Sequence, residues 1–210
     1  GELEYVLEID LDTTPLMTLQ WDYEADFVQT MFAFAELIEK RDSYTGHHSE
    51  NTRAIALKLG ASLGLDAARL DELSTMALLH DIGKIGITEA ILLKKGPLTQ
   101  EERKQIEAHS QLGYDVLCKI KRFQEIASSI LCHHEWFNGQ GYPNGIKGEE
   151  IPWLARILSV ADVFEALTAD RVYRPAISRS QALDIIRKGR GSQFDPQVVD
   201  TLLQLNEAGA

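Results

Sequence analysis

From Phe27 onward the apolar residues recur at helical spacing: Phe27, Met31, Phe34 and Ile38 stand four, three and four apart, which is one face of a helix. Residues 52–63 are amphipathic in the same way. Asp66 stands as an N-cap before a periodic run that reaches Ile82, and Gly83 is placed to end it. Thr99 with Glu102 forms a capping box that opens a helix carrying His109. Another helix runs from Phe123 to His133 and His134. Residues 137–149, FNGQGYPNGIKGE, are dense in Gly and Pro and read as a structured loop. Pro152 suits the first position of a helix that passes Asp162 and reaches about Asp170. Two more helices follow, the last introduced by Asp195 and Pro196. Only the start breaks the pattern: Leu3, Tyr5, Leu7, Ile9 and Leu11 alternate with mostly acidic neighbours, a strand period with no hairpin partner. The expectation is an all-α bundle of about seven or eight helices over residues 26–210. Residues 1–25 are expected to be a linker, or a strand belonging to a preceding domain.

The totals narrow the function without naming it. The chain has 210 residues, 44% hydrophobic and 25% charged, ordinary for one globular domain. Its formal charge of −11 disfavours nucleic-acid polymers and anionic membranes, yet leaves a small anionic ligand open, because a site's local field can oppose the total. Cys118 and Cys132 lack a CxxC spacing, which fits two reduced thiols in a cytoplasmic helical core. No apolar run approaches the ~18 residues of a membrane span. The chain does not begin with Met, so it reads as a piece of something longer.

The chemistry concentrates in histidine. MALLHDIGKIG, residues 76–86, puts His80 and Asp81 behind Leu73, Met76 and Leu79, where two adjacent polar groups are costly without partners. His48, His109, His133 and His134 also fall at helix ends or on apolar faces, and Asp162 lies in a similar apolar setting. Any one of these histidines alone reads best as a hydrogen-bonded core residue. Five together with two aspartates would perturb one another's charges badly unless they share cations. There are enough ligands for two ions, and His and Asp without thiolate favour Fe, Mn, Zn or Ni. A carboxylate has two oxygens, so Asp81 suits a bridge between the ions.

The ordered set RDSYTGHHSE (41–50), HDIGK (80–84), His109, HHE (133–135), GYP (141–143), ADVFEALTADRVYR (161–174) and FDP (194–196) resembles the HD-GYP family. These are cyclic di-GMP phosphodiesterases of the HD metal-phosphohydrolase superfamily, and the match covers about residues 40–205. The resemblance implies the helical HD bundle, with His48, His80, Asp81 and Asp162 as ligands of one ion. It implies that Asp81 with His109, His133 and His134 holds the other. Two divalent transition-metal ions are expected, Fe or Mn first and Zn or Ni next. The implied reaction is hydrolysis of cyclic di-GMP to linear pGpG, with further cleavage to GMP left open. In it a hydroxide bridging the two ions attacks phosphorus in line with the departing 3′ oxygen.

Lys84 is expected to reach the phosphate or the leaving oxygen, so Asp81 and Lys84 are the catalytic candidates. Arg171 and Arg174 match phosphate-contacting positions, and Tyr142 is placed to stack on guanine. Against these stand plainer readings: Lys84 as a solvated side chain, both arginines paired with acids such as Asp170, Trp136 and Phe137 as loop packing. Tyr44 stands where some family members carry a third-metal Glu, so two ions are expected. His47 is a spare-ligand candidate that reads better as solvated. Asn51 and Ser110 replace a frequent Arg and Pro, and neither is expected to touch a ligand. Other readings are a cyclic-dinucleotide receptor or diguanylate-cyclase (GGDEF) interaction module without turnover, and a phosphodiesterase for mixed cyclic GMP–AMP. The N-terminal segment is a candidate connector through which a homodimer could form.

Overall fold

A computed structural model of the chain describes residues 14–42, 47–170 and 175–207. All regular structure among the described residues is helical. The expected strand over residues 3–11, Tyr44, Arg171 and Arg174 lie outside them. The first helix, α1 (Thr14–Asp42), begins well before Phe27 and buries Ala35 and Ile38, with Val28, Met31 and Phe32 packed beside them. Glu39 on the same face is buried, and its carboxylate accepts from the backbone N–H of His48 and of Ser49 (3.3 Å for Ser49). It thereby satisfies the orphan donors that open α2 (His48–Ser62).

Asp66 caps α3 (Ala67–Leu79) by accepting from Arg69 N–H at 2.9 Å. This helix stops at Leu79, three residues before the expected end at Ile82. The chain tightens into a 3-10 turn, Ile82–Gly86, so that His80 and Asp81 sit in the corner between them. Gly83 does not end α3. Its role is closeness: a Cβ there would lie 1.9 Å from the His109 carbonyl oxygen and 2.5 Å from Gly113 N, both backbone atoms.

A single-turn helix, α4 (Glu89–Leu92), comes next. The Thr99–Glu102 capping box forms and opens α5 (Gln100–Glu107). The expected single helix carrying His109 is broken at Ala108, and His109 starts α6 (His109–Leu117). Here tertiary packing overrides local periodicity, because the α6 backbone must meet Gly83. A 3-10 turn, Lys121–Phe123, leads into α7 (Gln124–Leu131). These short pieces raise the count among the described residues from the expected seven or eight helices to ten.

Pro152 is the N-cap of α8 (Trp153–Thr168), one place earlier than expected. Its buried residues run almost continuously from Leu154 to Glu165, as in a helix surrounded by others. It packs against α2, α3, α7 and α9 (Arg179–Lys188), with α10 (Pro196–Glu207) beside it. Asp195 of the FDP motif is buried, pairs with Arg156 at 2.6 Å and accepts from Gln197 N–H. The backbone just before it takes up the loop after α7: Phe137 and Asn138 donate to the carbonyls of Gln193 and Ser192.

Candidate metal centre

Three helix ends deliver histidines to one place. His80 follows α3, His109 follows α5 and His133 follows α7. In each, Nδ1–H donates to a carbonyl three residues earlier, on Ala77 (2.9 Å), Ile106 (2.6 Å) and Ile130 (2.5 Å). Those carbonyls belong to the last turns of their helices, where i+4 donors run out, and the imidazoles add a side-chain donor there beside the backbone contacts of Ile106 and Ile130. The same bonds fix each ring as the tautomer whose Nε2 keeps a free lone pair. Helix C-termini also carry partial negative charge, which favours cations there.

His48 arrives differently, at the N-terminus of α2. Its Nδ1 meets the buried carboxylate of Glu165, and its Nε2 faces Asp162 Oδ1 at 3.1 Å. Both acids come from α8, three residues apart and so on one face. The result is two clusters: His48, His80 and Asp162 in one, His109, His133 and His134 in the other. Within each trio the candidate ligand atoms lie within 4.8 Å of one another.

Asp81 stands between the trios. Its Oδ2 lies 3.4 Å from His80 Nε2 and 4.0 Å from His48 Nε2, while its Oδ1 lies 3.5 Å from His109 Nε2. One carboxylate thus offers an oxygen to each side. Lys84, one turn later, places Nζ 2.8 Å from Asp81 Oδ2.

The electrostatics have two parts. Burial opposes the charge on Asp81, but Lys84, His80, His109 and His48 together outweigh it and hold the carboxyl well below its ordinary range. Asp162 is likewise held far down, its burial overcome first by the His48 hydrogen bond. Burial pushes the histidines toward the neutral form: His109 is lowered, His133 lies well below its ordinary value, and His134 falls to about 3. Ionised carboxylates beside neutral imidazoles are the protonation states that a divalent cation requires.

The chain's own groups do not satisfy this arrangement. His80 Nε2 is buried with no hydrogen-bond partner among the described residues. His109 Nε2 and His133 Nε2, both carrying lone pairs, face each other at 3.5 Å. Orphaned acceptors of this kind are costly, and a divalent cation in each trio removes the cost. The donor set of imidazole nitrogen and carboxylate oxygen fits Fe, Mn, Zn or Ni.

Tyr142 packs its ring on His134, centroids 4.9 Å apart, and its N–H donates to the His134 carbonyl at 3.2 Å. Gly141 makes that return possible, because a Cβ there would lie 2.2 Å from Trp136 N. Glu135 is buried and accepts from Asn144 N–H (2.7 Å) and Gly145 N–H (3.1 Å), tying the loop down. Trp136 and Phe137 are half-buried in the same loop, and His47 is exposed.

Sequence reasoning missed Glu39, Glu165 and Glu135, although each is an acid on an otherwise apolar or ligand-bearing stretch. It also set aside Asn51 and Ser110. Asn51 donates to Glu165 at 3.3 Å, one step from His48, and Ser110 Oγ lies 3.4 Å from His109 Nε2. Both therefore sit beside the candidate ligands, Ser110 directly and Asn51 through Glu165.

Comparison with known proteins agrees with this geometry. The family model "HD domain" matches residues 33–198. The cyclic di-GMP phosphodiesterase response regulator RpfG of Xanthomonas campestris is 40% identical over 178 residues, covering 84% of this chain and 47% of that protein. The 3'3'-cGAMP-specific phosphodiesterase 3 of Vibrio cholerae is 36% identical, covering 79% of this chain and 36% of that one. The crystal structure of the V. cholerae cyclic GMP–AMP phosphodiesterase V-cGAP3 superposes with a TM-score of 0.64 at 24% identity, over 86% of this chain and 48% of that one. The chain spans less than half the length of each of these relatives. The fold and the resemblance read from the motifs are borne out, and HD phosphodiesterases depend on metal. No helix among the described residues is long and apolar enough to cross a membrane. The chain belongs to the HD domain family.

Proposed function

We propose that this chain is a metal-dependent phosphodiesterase that hydrolyses cyclic di-GMP to linear pGpG. The observation that carries the reading is Asp81, whose two oxygens face two separate histidine clusters. The names of the relatives supply the substrate class, a cyclic dinucleotide.

In this reading His48, His80, Asp162 and Asp81 hold one divalent transition-metal ion, Fe or Mn first and Zn or Ni next. His109, His133, His134 and Asp81 hold a second. Bound cations there supply Lewis-acid polarisation of the phosphodiester and lower the pKa of water to roughly 7. The backbone carbonyls of Ala77, Ile106 and Ile130 keep the three Nε2 atoms aimed inward, and Glu165 does the same for His48. Lys84 is held beside Asp81, where its ammonium can meet a phosphoryl oxygen and protonate the departing 3′ oxygen. Tyr142, stacked at the edge of the second cluster, offers a ring to a guanine. Arg171 and Arg174 are the proposed phosphate contacts from the segment after α8. Residues 26–210 form the domain, and its two free thiols suit the reducing cytoplasm.

The test is chromatography of cyclic di-GMP incubated with the Mn- or Fe-loaded chain, alongside the Asp81→Asn variant. The reading expects pGpG from the first and none from the second. Binding without product under either metal would make the chain a receptor. Faster cleavage of 3'3'-cGAMP would move the substrate within the class.

A further inference from the structure

His48 is the first residue of α2, and the first N–H groups of a helix have no acceptor within it. A side chain at the N-cap usually supplies one. Here the N-cap is His47, whose side chain makes no such bond. His48 and Ser49 are buried all the same, 4% and 7% exposed, which leaves little access for water. The acceptor comes from another helix. Glu39 of α1, itself buried, places one carboxylate oxygen on the N–H of His48 and the other on that of Ser49.

Close packing does not do this work instead. A cavity of about 370 Å³ lies where α1, α2 and α3 meet, bordered by Phe32, Ala33, Glu39, Ser49 and Leu78, so the first turn of α2 is loosely filled on that side. The ring of His48 is held separately, at Nδ1, by Glu165 of α8. Two helices therefore share one ligand: α8 orients the imidazole, and α1 sets the backbone that carries it. Arg41, two residues beyond Glu39, donates to the Ile87 carbonyl at 3.4 Å, at the end of the 3-10 turn that follows Asp81. The last turns of α1 thus touch both chain segments that bring His48 and Asp81 together.

We propose that Glu39 is a positioning residue for the first metal site, acting through the backbone of His48: removing its acceptors weakens the first ion and leaves the second in place. The inference rests on the two-ion reading above. Without both oxygens a buried donor is left unsatisfied, and the first turn of α2 relaxes toward another acceptor, carrying His48 with it. Metal–ligand distances tolerate only about 0.2 Å, so a small relaxation is enough. The second cluster takes its hold from other elements, His109 from the Ile106 carbonyl and His133 from that of Ile130.

Glu39→Gln is nearly isosteric, keeps one acceptor and turns an amide N–H toward the other donor. Calorimetric titration of the metal-free chain with Mn is the test, each phase being assigned by its loss in His48→Ala or in His134→Ala. The expected result is a first phase about 10–100-fold weaker, the scale for losing a partner that supports a metal ligand, and a second phase as in the wild type. Asp66→Ala separates position from stability. It removes the cap of α3, which accepts from Arg69 N–H at 2.9 Å, at the opposite end of that helix from His80. It should lower Tm and leave both phases unchanged. If Glu39→Gln does the same, or weakens both phases alike, Glu39 is a helix cap only and the proposal fails. A wild-type chain that takes up fewer than two ions overturns the two-ion reading itself, and the proposal with it.

Discussion

Gly83→Ala changes one hydrogen to a methyl group outside both histidine clusters, and it should dismantle the second one. The added Cβ would sit 1.9 Å from the His109 carbonyl oxygen, 2.5 Å from Gly113 N and 2.8 Å from the His109 carbonyl carbon. All three are backbone atoms, so no side chain can swing aside. Reaching even 3.0 Å from that oxygen takes a shift of 3.0 minus 1.9, or 1.1 Å, between the turn bearing Asp81 and the start of α6. Metal–ligand distances tolerate only about 0.2 Å. Asp81 Oδ1 and His109 Nε2, now 3.5 Å apart, then cannot share an ion. Overpacking of this kind costs about 1–3 kcal/mol, and each kcal/mol lowers Tm by about 2–4 °C at this size. Plasma mass spectrometry of gel-filtered protein should show bound metal falling from two ions toward one. A melt in chelator isolates the packing cost from metal loss. Gly113→Ala is the control at the same contact, since its Cβ would meet Gly83 N at an ordinary 3.5 Å and should be tolerated. If Gly83→Ala keeps both ions and its melting temperature, the close approach does not set the site and the reasoning fails.

Other outcomes follow from the same geometry. Chelation should abolish hydrolysis and lower Tm, with Mn or Fe restoring both; ions at a thousandfold over Kd contribute about 4 kcal/mol each. Glu165→Gln weakens the hold on His48 Nδ1 and should cost the first site about 10–100-fold in metal affinity, read by titration calorimetry, while the second site keeps its ion. In the metal-free chain His134 titrates near 3 when folded and near 6.5 when unfolded. The unfolded state therefore binds the extra proton below pH 6.5, and stability falls on acidification by up to about 1.4 kcal/mol per pH unit from this group. A denaturant midpoint that is flat between pH 6.5 and 5 would contradict that sign. Tyr142→Ala should raise KM more than it lowers kcat, and Lys84→Ala should lower kcat with both ions retained.

The two clusters were legible because five imidazoles and two carboxylates on apolar helical faces perturb one another's charges unless they come together around shared cations. What periodicity could not show is where helices stop. The run from Thr99 to Leu117 is continuous in pattern, yet the chain breaks at Ala108, because Gly83 and the α6 backbone must touch. Likewise α3 yields to a 3-10 turn at His80 and Asp81, which turns Asp81 toward both clusters. The supporting acids were also hidden. Glu165 shares a face with Asp162, a signal present in the sequence. Glu39 and Glu135 act on backbone N–H groups distant in sequence, which no local pattern encodes.

The central claim is that two ions share Asp81. Crystals grown with Mn or Fe, with diffraction recorded on both sides of the metal absorption edge, test it directly. The account predicts two anomalous peaks, one among His48, His80 and Asp162, the other among His109, His133 and His134, each beside a different oxygen of Asp81. A single peak, or two peaks with Asp81 turned onto only one of them, would contradict it.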